Sequence, residues 1–282
     1  MSEEKKDNSS LILRAKSALI FGPLVIAVIW FGGFPFAVMM AAGAAVGGWE
    51  WANLVMTGKK PPKFLPHMTA GITGLAAFSC EMFYSPFLSL GFMLSLCLLL
   101  FAFNFVKEGP KPWLLLFGVV YIGFAFIVMI WLRAGDSAQG LYHMLTLLLL
   151  VWASDISAYF SGKAIGGPKL APKISPKKTW AGFFGSSVGA GLVTAGLACP
   201  WVLTKFDVHT IGNMGITAYF IIGFVLAMFG QAGDLFISLF KRHYGVKDTG
   251  TLIPGHGGIL DRVDALLLVA LFFGTIAMIA KG

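Results

Sequence analysis

Trp113–Leu132 reads WLLLFGVVYIGFAFIVMIWL and contains no charged residue. About 20 mostly apolar residues in a helix cross the roughly 30 Å hydrocarbon core of a bilayer, so this stretch predicts a transmembrane helix. It has counterparts along the chain: Ala18–Trp30, Gly91–Val106, Leu141–Ala153 and Ala265–Ala280 are apolar blocks separated by short basic or Gly/Pro-rich segments. Of the 282 residues, 57% are hydrophobic and only 12% charged, against roughly 25% charged in an average soluble protein. So few charges do not cover a water-soluble globule, and the expected fold is an all-α, polytopic membrane bundle.

Counting apolar blocks predicts nine spans, near 17–32, 35–55, 64–81, 86–106, 112–132, 140–161, 181–203, 215–240 and 260–280. The third is short, which leaves eight as the fallback. Gly32, Gly33 and Pro35 are expected to turn the chain between the first two. The apolar run behind Lys5, Lys6, Arg14 and Lys16 continues almost to Met56, longer than the roughly 7 to 15 residues of a cleavable signal, so it reads as retained spans. Residues 1–139 and 140–282 are expected to be the N-terminal and catalytic parts of one integrated membrane domain.

Short cytoplasmic loops hold the excess of Lys and Arg. With nine spans and the N-terminus inside, every basic residue except Arg133, Lys205 and Lys281 falls on the cytoplasmic side, out of 21 in the chain. The net charge of +8 therefore belongs to one face. Topology and attraction to anionic headgroups explain part of it, and no nucleic-acid partner is expected. Cys80, Cys97 and Cys199 are odd in number and lack metal-ligand spacing, so they read as packing residues.

Chemistry is concentrated in the second half. Glu50, between Trp49 and Trp51, is an intramembrane acid, but it sits near a span end where it could reach water. His67 and His143 have no partner ligands in view and read as interfacial or packing residues. By contrast, Asp155 is followed by Lys163, Lys169, Lys173, Lys177 and Lys178, interleaved with Gly166, Gly167, Pro168, Pro172 and Pro176. Ser175 and Thr179 add hydroxyls just ahead of the seventh span. Lysines and backbone N–H groups at a helix start suit a bound phosphate.

The last basic segment holds Asp234, Ser238, Lys241, Arg242, Lys247, Asp248, His256, Asp261, Arg262 and Asp264. Asp234, Ser238 and Arg242 repeat at four-residue intervals and form one stripe on a helix, while Asp261 and Asp264 are three apart at the start of the next. Carboxylates converging from two helices suit a hard divalent ion such as Mg2+, shared with substrate phosphates. Structural ion pairs or a proton relay in a transporter use the same residue types.

Ser238–Asp264 matches, at every specified position, the signature S-x-x-K-R-x4-K-D-x-G-x2-[hydrophobic]-P-x-H-G-G-x2-D-R-x-D, and so resembles the phosphatidate cytidylyltransferase (CDP-diacylglycerol synthase) family. Asp155 through Trp180 resembles a second family stretch, departing from it at Ala181-Gly182, where the family often has Glu-Gly. The resemblance covers roughly residues 152–280. It implies transfer of CMP from CTP to phosphatidate, giving CDP-diacylglycerol and pyrophosphate, with Mg2+ required. It also implies a second cation, of which K+ is one candidate, and a homodimer; Gly43 with Gly47 and Gly185 with Gly189 offer close helix packing within or between subunits.

On that reading Asp234, Asp261, Asp264, Lys241 and Arg242 carry catalysis, with Asp234, Asp261, Asp264 and Asp155 toward the metal. Lys173, Ser175, Lys177, Lys178, Thr179, Ser238, Lys247, His256 and Arg262 are the candidates for binding CTP and the lipid phosphate. The expected location is the bacterial cytoplasmic membrane, among membrane lipids, with the site on its inner face. A CTP-dependent lipid kinase and a cation-coupled transporter remain the alternatives. The D-G-x2-A-R-x8-G-x3-D-x3-D pattern of CDP-alcohol phosphotransferases is absent.

Overall fold

The computed structural model of the chain describes residues 19, 22–58, 63–106, 112–134, 137–206, 214–252 and 257–281. Nearly all of them are helical. In order the elements are α1 (Gly22–Phe31), α2 (Gly33–Val55), α3 (Leu65–Phe83), α4 (Pro86–Val106), α5 (Pro112–Ala134), α6 (Ser137–Ala164), β1 (Lys169–Ala171), β2 (Ser175–Thr179), α7 (Trp180–Leu197), α8 (Pro200–Lys205), α9 (Ile216–His243) and α10 (Leu260–Lys281). Among the described residues, five stretches are long and apolar enough to cross a membrane: Pro112–Ala134, Ala138–Ala164, Trp180–Leu197, Ile216–His243 and Leu260–Ile279. Large apolar side chains such as Leu98, Phe160, Leu192 and Ile221 stand exposed on the helices, as lipid-facing residues do and as a soluble protein could not sustain over so many positions. The chain is an integral membrane protein.

Helix boundaries follow local chemistry. Gly32 and Gly33 both take positive φ, the conformation glycine adopts without steric cost, and they turn the chain from α1 into α2. The expected seventh span, 181–203, is interrupted. Helix α7 ends at Leu197 and α8 begins at Pro200, because proline lacks an N–H and its ring disfavours helical backbone in the residue before it; Cys199 accordingly has extended dihedrals.

The chain forms two compact units. One comprises residues 1–130 and 243–263; the other comprises 131–242 and 264–282. In the first, α2 packs on α3 and α5 through small residues. A Cβ on Gly43 would lie 3.0 Å from the Phe126 ring, and one on Gly47 would lie 3.2 Å from Ile122. Gly118 leaves room for the Trp51 indole, whose Nε1 donates to the Leu114 carbonyl at 2.9 Å.

In the second unit, α6 and α7 are similarly close. Gly185 and Gly189 fit against the side chains of Ser161 and Ser157. Gly43, Gly47, Gly185 and Gly189, the glycines expected to allow close helix packing, thus pack against side chains of this same chain, where short side chains let backbones approach. On α9, Gly223 packs against Thr194, and a Cβ on Gly233 would stand 2.7 Å from the Asp264 carbonyl. Next to Gly233 is Asp234, so the close approach of α9 and α10 is what brings two carboxylates together. His143 packs edge-on between the rings of Tyr142 and Phe273, as a packing histidine should.

Candidate active site

Residues 169–179 form a short antiparallel hairpin rather than an irregular loop, with Lys169 opposite Thr179 and Ala171 opposite Ser175. Ile174 N closes its turn on the Ala171 carbonyl at 3.1 Å. The hairpin runs directly into α7, and Thr179 caps that helix: its Oγ1 accepts from Gly182 N at 3.1 Å, satisfying one of the amides that a helix start leaves without an internal partner. The lysines of β2 are thereby fixed at a helix N-terminus.

Beside them is a cavity of about 400 Å³, within the range of small-ligand sites. It is lined by Asp155, Tyr159 and Lys163 of α6, Lys177, Lys178 and Thr179 of β2, Phe183 of α7, and Gln231 and Asp234 of α9. Lys178 is its pivot. Its Nζ lies 2.7 Å from Asp234 Oδ2 and donates to Gln231 Oε1 at 2.9 Å. Asp234 Oδ1 accepts from Ser238 Oγ at 3.2 Å, which joins the first two residues of the expected stripe on α9. Lys163 Nζ stands 5.9 Å from the centre of the Tyr159 ring, within cation–π range.

Asp264 lies near enough to Asp234, Lys241 and Lys178 to feel their charges. Its Oδ1 accepts from Ala265 N at 2.8 Å. Arg242 is exposed, and its Nε donates to the Ile174 carbonyl at 3.3 Å, tying the hairpin turn to the end of α9. Lys173 is exposed at that turn, outside the residues that line the cavity.

The other described signature residues belong to the first unit, where Thr249, Gly258 and Asp261 are joined by hydrogen bonds. Asp261 Oδ2 accepts from Thr249 N at 2.8 Å and Gly258 N at 3.1 Å, and Thr249 Oγ1, 3.0 Å away, shares its single proton between this oxygen and Glu50 Oε2. Gly257 has positive φ, which explains a glycine there. Lys247, Asp248 and Arg262 are exposed. His256 lies outside the described residues.

Among the described residues, no three His, Cys, Asp or Glu side chains group tightly enough to form a ready-made metal cage. Of the four expected metal carboxylates, Asp234 and Asp264 share one charge cluster, Asp155 lines the cavity with Asp234, and Asp261 carries the loop contacts just given. One or two carboxylates completed by substrate phosphates is how Mg2+ is commonly held, so the donor set around Asp234 and Asp264 fits that ion.

Of the polar residues at these sites, Gln231, Tyr159 and Thr249 were not named from sequence. Gln231 is a buried amide in an apolar helix, one turn before Asp234, and intramembrane polarity is the signal for it. Thr249 occupies an unspecified position of the signature. Glu50 does not reach water: it is 0% exposed and accepts hydrogen bonds from Thr249, Ile259 and Leu260.

With this geometry in view, the comparisons with known proteins are decisive. Residues 12–280 match the model of the cytidylyltransferase family. The chain belongs to that family. It is 35% identical over 263 residues to a phosphatidate cytidylyltransferase of Brucella melitensis, covering 93% of this chain and 91% of the relative. It is 33% identical over 285 residues to one of Haemophilus influenzae, covering 92% and 96%. A shorter match, 44% identical over 155 residues, is to the enzyme of Staphylococcus epidermidis, covering 55% of this chain and 54% of that one. The similarity to the first two relatives extends well beyond the second half that carries the motifs, and the chain is a nucleotidyltransferase.

Proposed function

We propose that the protein is a phosphatidate cytidylyltransferase: it transfers CMP from CTP to phosphatidate, giving CDP-diacylglycerol and pyrophosphate for phospholipid synthesis. The observation that carries this reading is similarity to phosphatidate cytidylyltransferases over more than nine-tenths of both chains, together with a complete signature at Ser238–Asp264.

An oxygen of the phosphatidate phosphate attacks the α-phosphorus of CTP. The new P–O bond forms as the bond from the α-phosphorus to the oxygen bridging to the β-phosphorus breaks, and pyrophosphate departs with that electron pair. The attacking group is already anionic, so no strong general base is needed, and catalysis rests on positioning and charge neutralisation. Lys163, Lys177 and Lys178 provide cations around one cavity. Asp234 and Gln231 hold Lys178 in place, so its ammonium is directed before substrate arrives. Lys241 and Arg242, at the cytoplasmic end of α9, add positive charge on the same element as Asp234.

Mg2+ bound by Asp234 and Asp264 would neutralise charge on the triphosphate. The protein is proposed to lie in a bacterial cytoplasmic membrane with this site on the inner face, which the Lys/Arg asymmetry supports. CTP would then arrive from the cytosol and the lipid from within the bilayer.

The test is purified protein with phosphatidate, Mg2+ and CTP labelled either in cytidine or at the γ-phosphate. Cytidine label in lipid is the expected result. Label from the γ-phosphate alone would make the protein a lipid kinase, and neither label would remove it from lipid nucleotidyl chemistry.

A further inference from the structure

Glu50 lies in α2, 199 residues before Thr249, and no step above uses it. Burying a carboxylate is costly, and packing alone would be served as well by an apolar residue of similar size. What a carboxylate adds is directed hydrogen bonding, and among the described residues its partners Thr249, Ile259 and Leu260 belong to one segment. Oε1 accepts from Ile259 N at 2.9 Å, and Oε2 accepts from Leu260 N at 2.8 Å and Thr249 Oγ1 at 3.0 Å. Ile259 and Leu260 carry leading amides of α10, so Glu50 supplies from a distant helix the cap that α10 requires, with its charge at the favourable end of the dipole.

The contact continues one residue further. Thr249 N donates to Asp261 Oδ2 at 2.8 Å, and the one hydroxyl proton of Thr249 lies between Asp261 Oδ2 and Glu50 Oε2, each 3.0 Å from Oγ1. Two signature glycines make room for the acid. A Cβ on Gly250 would lie 2.7 Å from Glu50 Oε1, and one on Gly258 would collide with Oε2. Neither has positive φ, so space, not backbone conformation, is the requirement at both.

We infer that Glu50 is a positioning residue for cytidylyl transfer, fixing the start of α10 and, through Thr249, the orientation of Asp261. This rests on the function proposed above. Thr249 is the link that can be cut with little change in volume, since valine keeps its shape and loses the hydroxyl.

The experiment compares wild type, Glu50→Gln, Thr249→Val and Thr249→Ser in detergent micelles containing phosphatidate. The readouts are kcat, KM for CTP, and hydrogen exchange in residues 245–262. In Glu50→Gln the amide group sets an N–H against a backbone or hydroxyl donor. A misplacement near 1 Å costs on the order of 100-fold, so kcat should fall by about that factor with KM roughly unchanged and exchange in the segment faster. Thr249→Val should behave alike, Thr249→Ser should keep both readouts near wild type, and a protein carrying both Glu50→Gln and Thr249→Val should be no worse than the poorer single variant. If Glu50→Gln does not fold, the Thr249 pair carries the test. An active wild type with equally active Thr249→Val overturns the inference alone. A wild type that transfers no cytidylyl group overturns the proposed function, and the inference with it.

Discussion

Lys178 Nζ lies 2.7 Å from Asp234 Oδ2, joining the hairpin to α9 at the wall of the cavity. The two side chains are 19% and 34% exposed, and a pair this open to solvent contributes on the order of 0 to 1 kcal/mol to stability. Its value is therefore in aiming an ammonium. Lys178→Met should lower kcat/KM by about 100-fold or more, the usual cost of losing a preorganised donor. The melting temperature in detergent should move little. A large drop in melting temperature with near-normal turnover would contradict this.

Asp261 offers a contrast between charge and hydrogen bonding. Its Oδ2 accepts from two backbone amides and shares the Thr249 hydroxyl proton with Glu50, and an asparagine oxygen in the same place can accept from them. Asp261→Asn should therefore abolish cytidylyl transfer while the fold is retained. Asp261→Ala leaves buried donors unmet, at about 1 to 3 kcal/mol, and should melt at a lower temperature than Asp261→Asn. Near-normal activity in Asp261→Asn would remove the residue from the catalytic set.

Chelation of Mg2+ by EDTA should stop the reaction, and restoring Mg2+ should revive it. Because Asp234 and Asp264 share one charge cluster, Asp264→Asn should raise the Mg2+ concentration for half-maximal rate by about 10-fold or more, within the range seen when a metal site loses a supporting group. An unchanged Mg2+ titration would separate Asp264 from the ion.

Gly189 fits against Ser157 across the α6–α7 contact. Gly189→Val forces a branched side chain into that contact and should destabilise by about 1 to 3 kcal/mol, read as earlier thermal aggregation in detergent. The same substitution at Gly71, which has no heavy atom near a built Cβ, should be far milder.

A cysteine at Ser175, in a chain whose native Cys199 is replaced by serine, should react with a membrane-impermeant maleimide only from the cytoplasmic side. Labelling from the outer side alone would reverse the proposed orientation.

The helical membrane character, five of the spans and the chemistry-bearing segments were legible from sequence because each depends on local composition. Hydrocarbon thickness sets a length that Trp113–Leu132 meets unaided, and the signature at Ser238–Asp264 is contiguous. Sequence also identified the lysines of residues 173–178, while their hairpin escaped notice because glycine and proline announce a break without stating what replaces it. Pro200, read as part of a span, separates two helices.

What only the tertiary structure decided is partnership between distant residues. No periodicity links Lys178 to Gln231 and Asp234, which meet because the hairpin and α9 border one cavity. None links Glu50 to an amide 210 residues later at Leu260. In isolation Glu50 is an acid near the end of an apolar helix, and local composition cannot say whether it meets water or protein. The fold decides that, because a buried carboxylate must find its donors wherever the packing of other helices brings them.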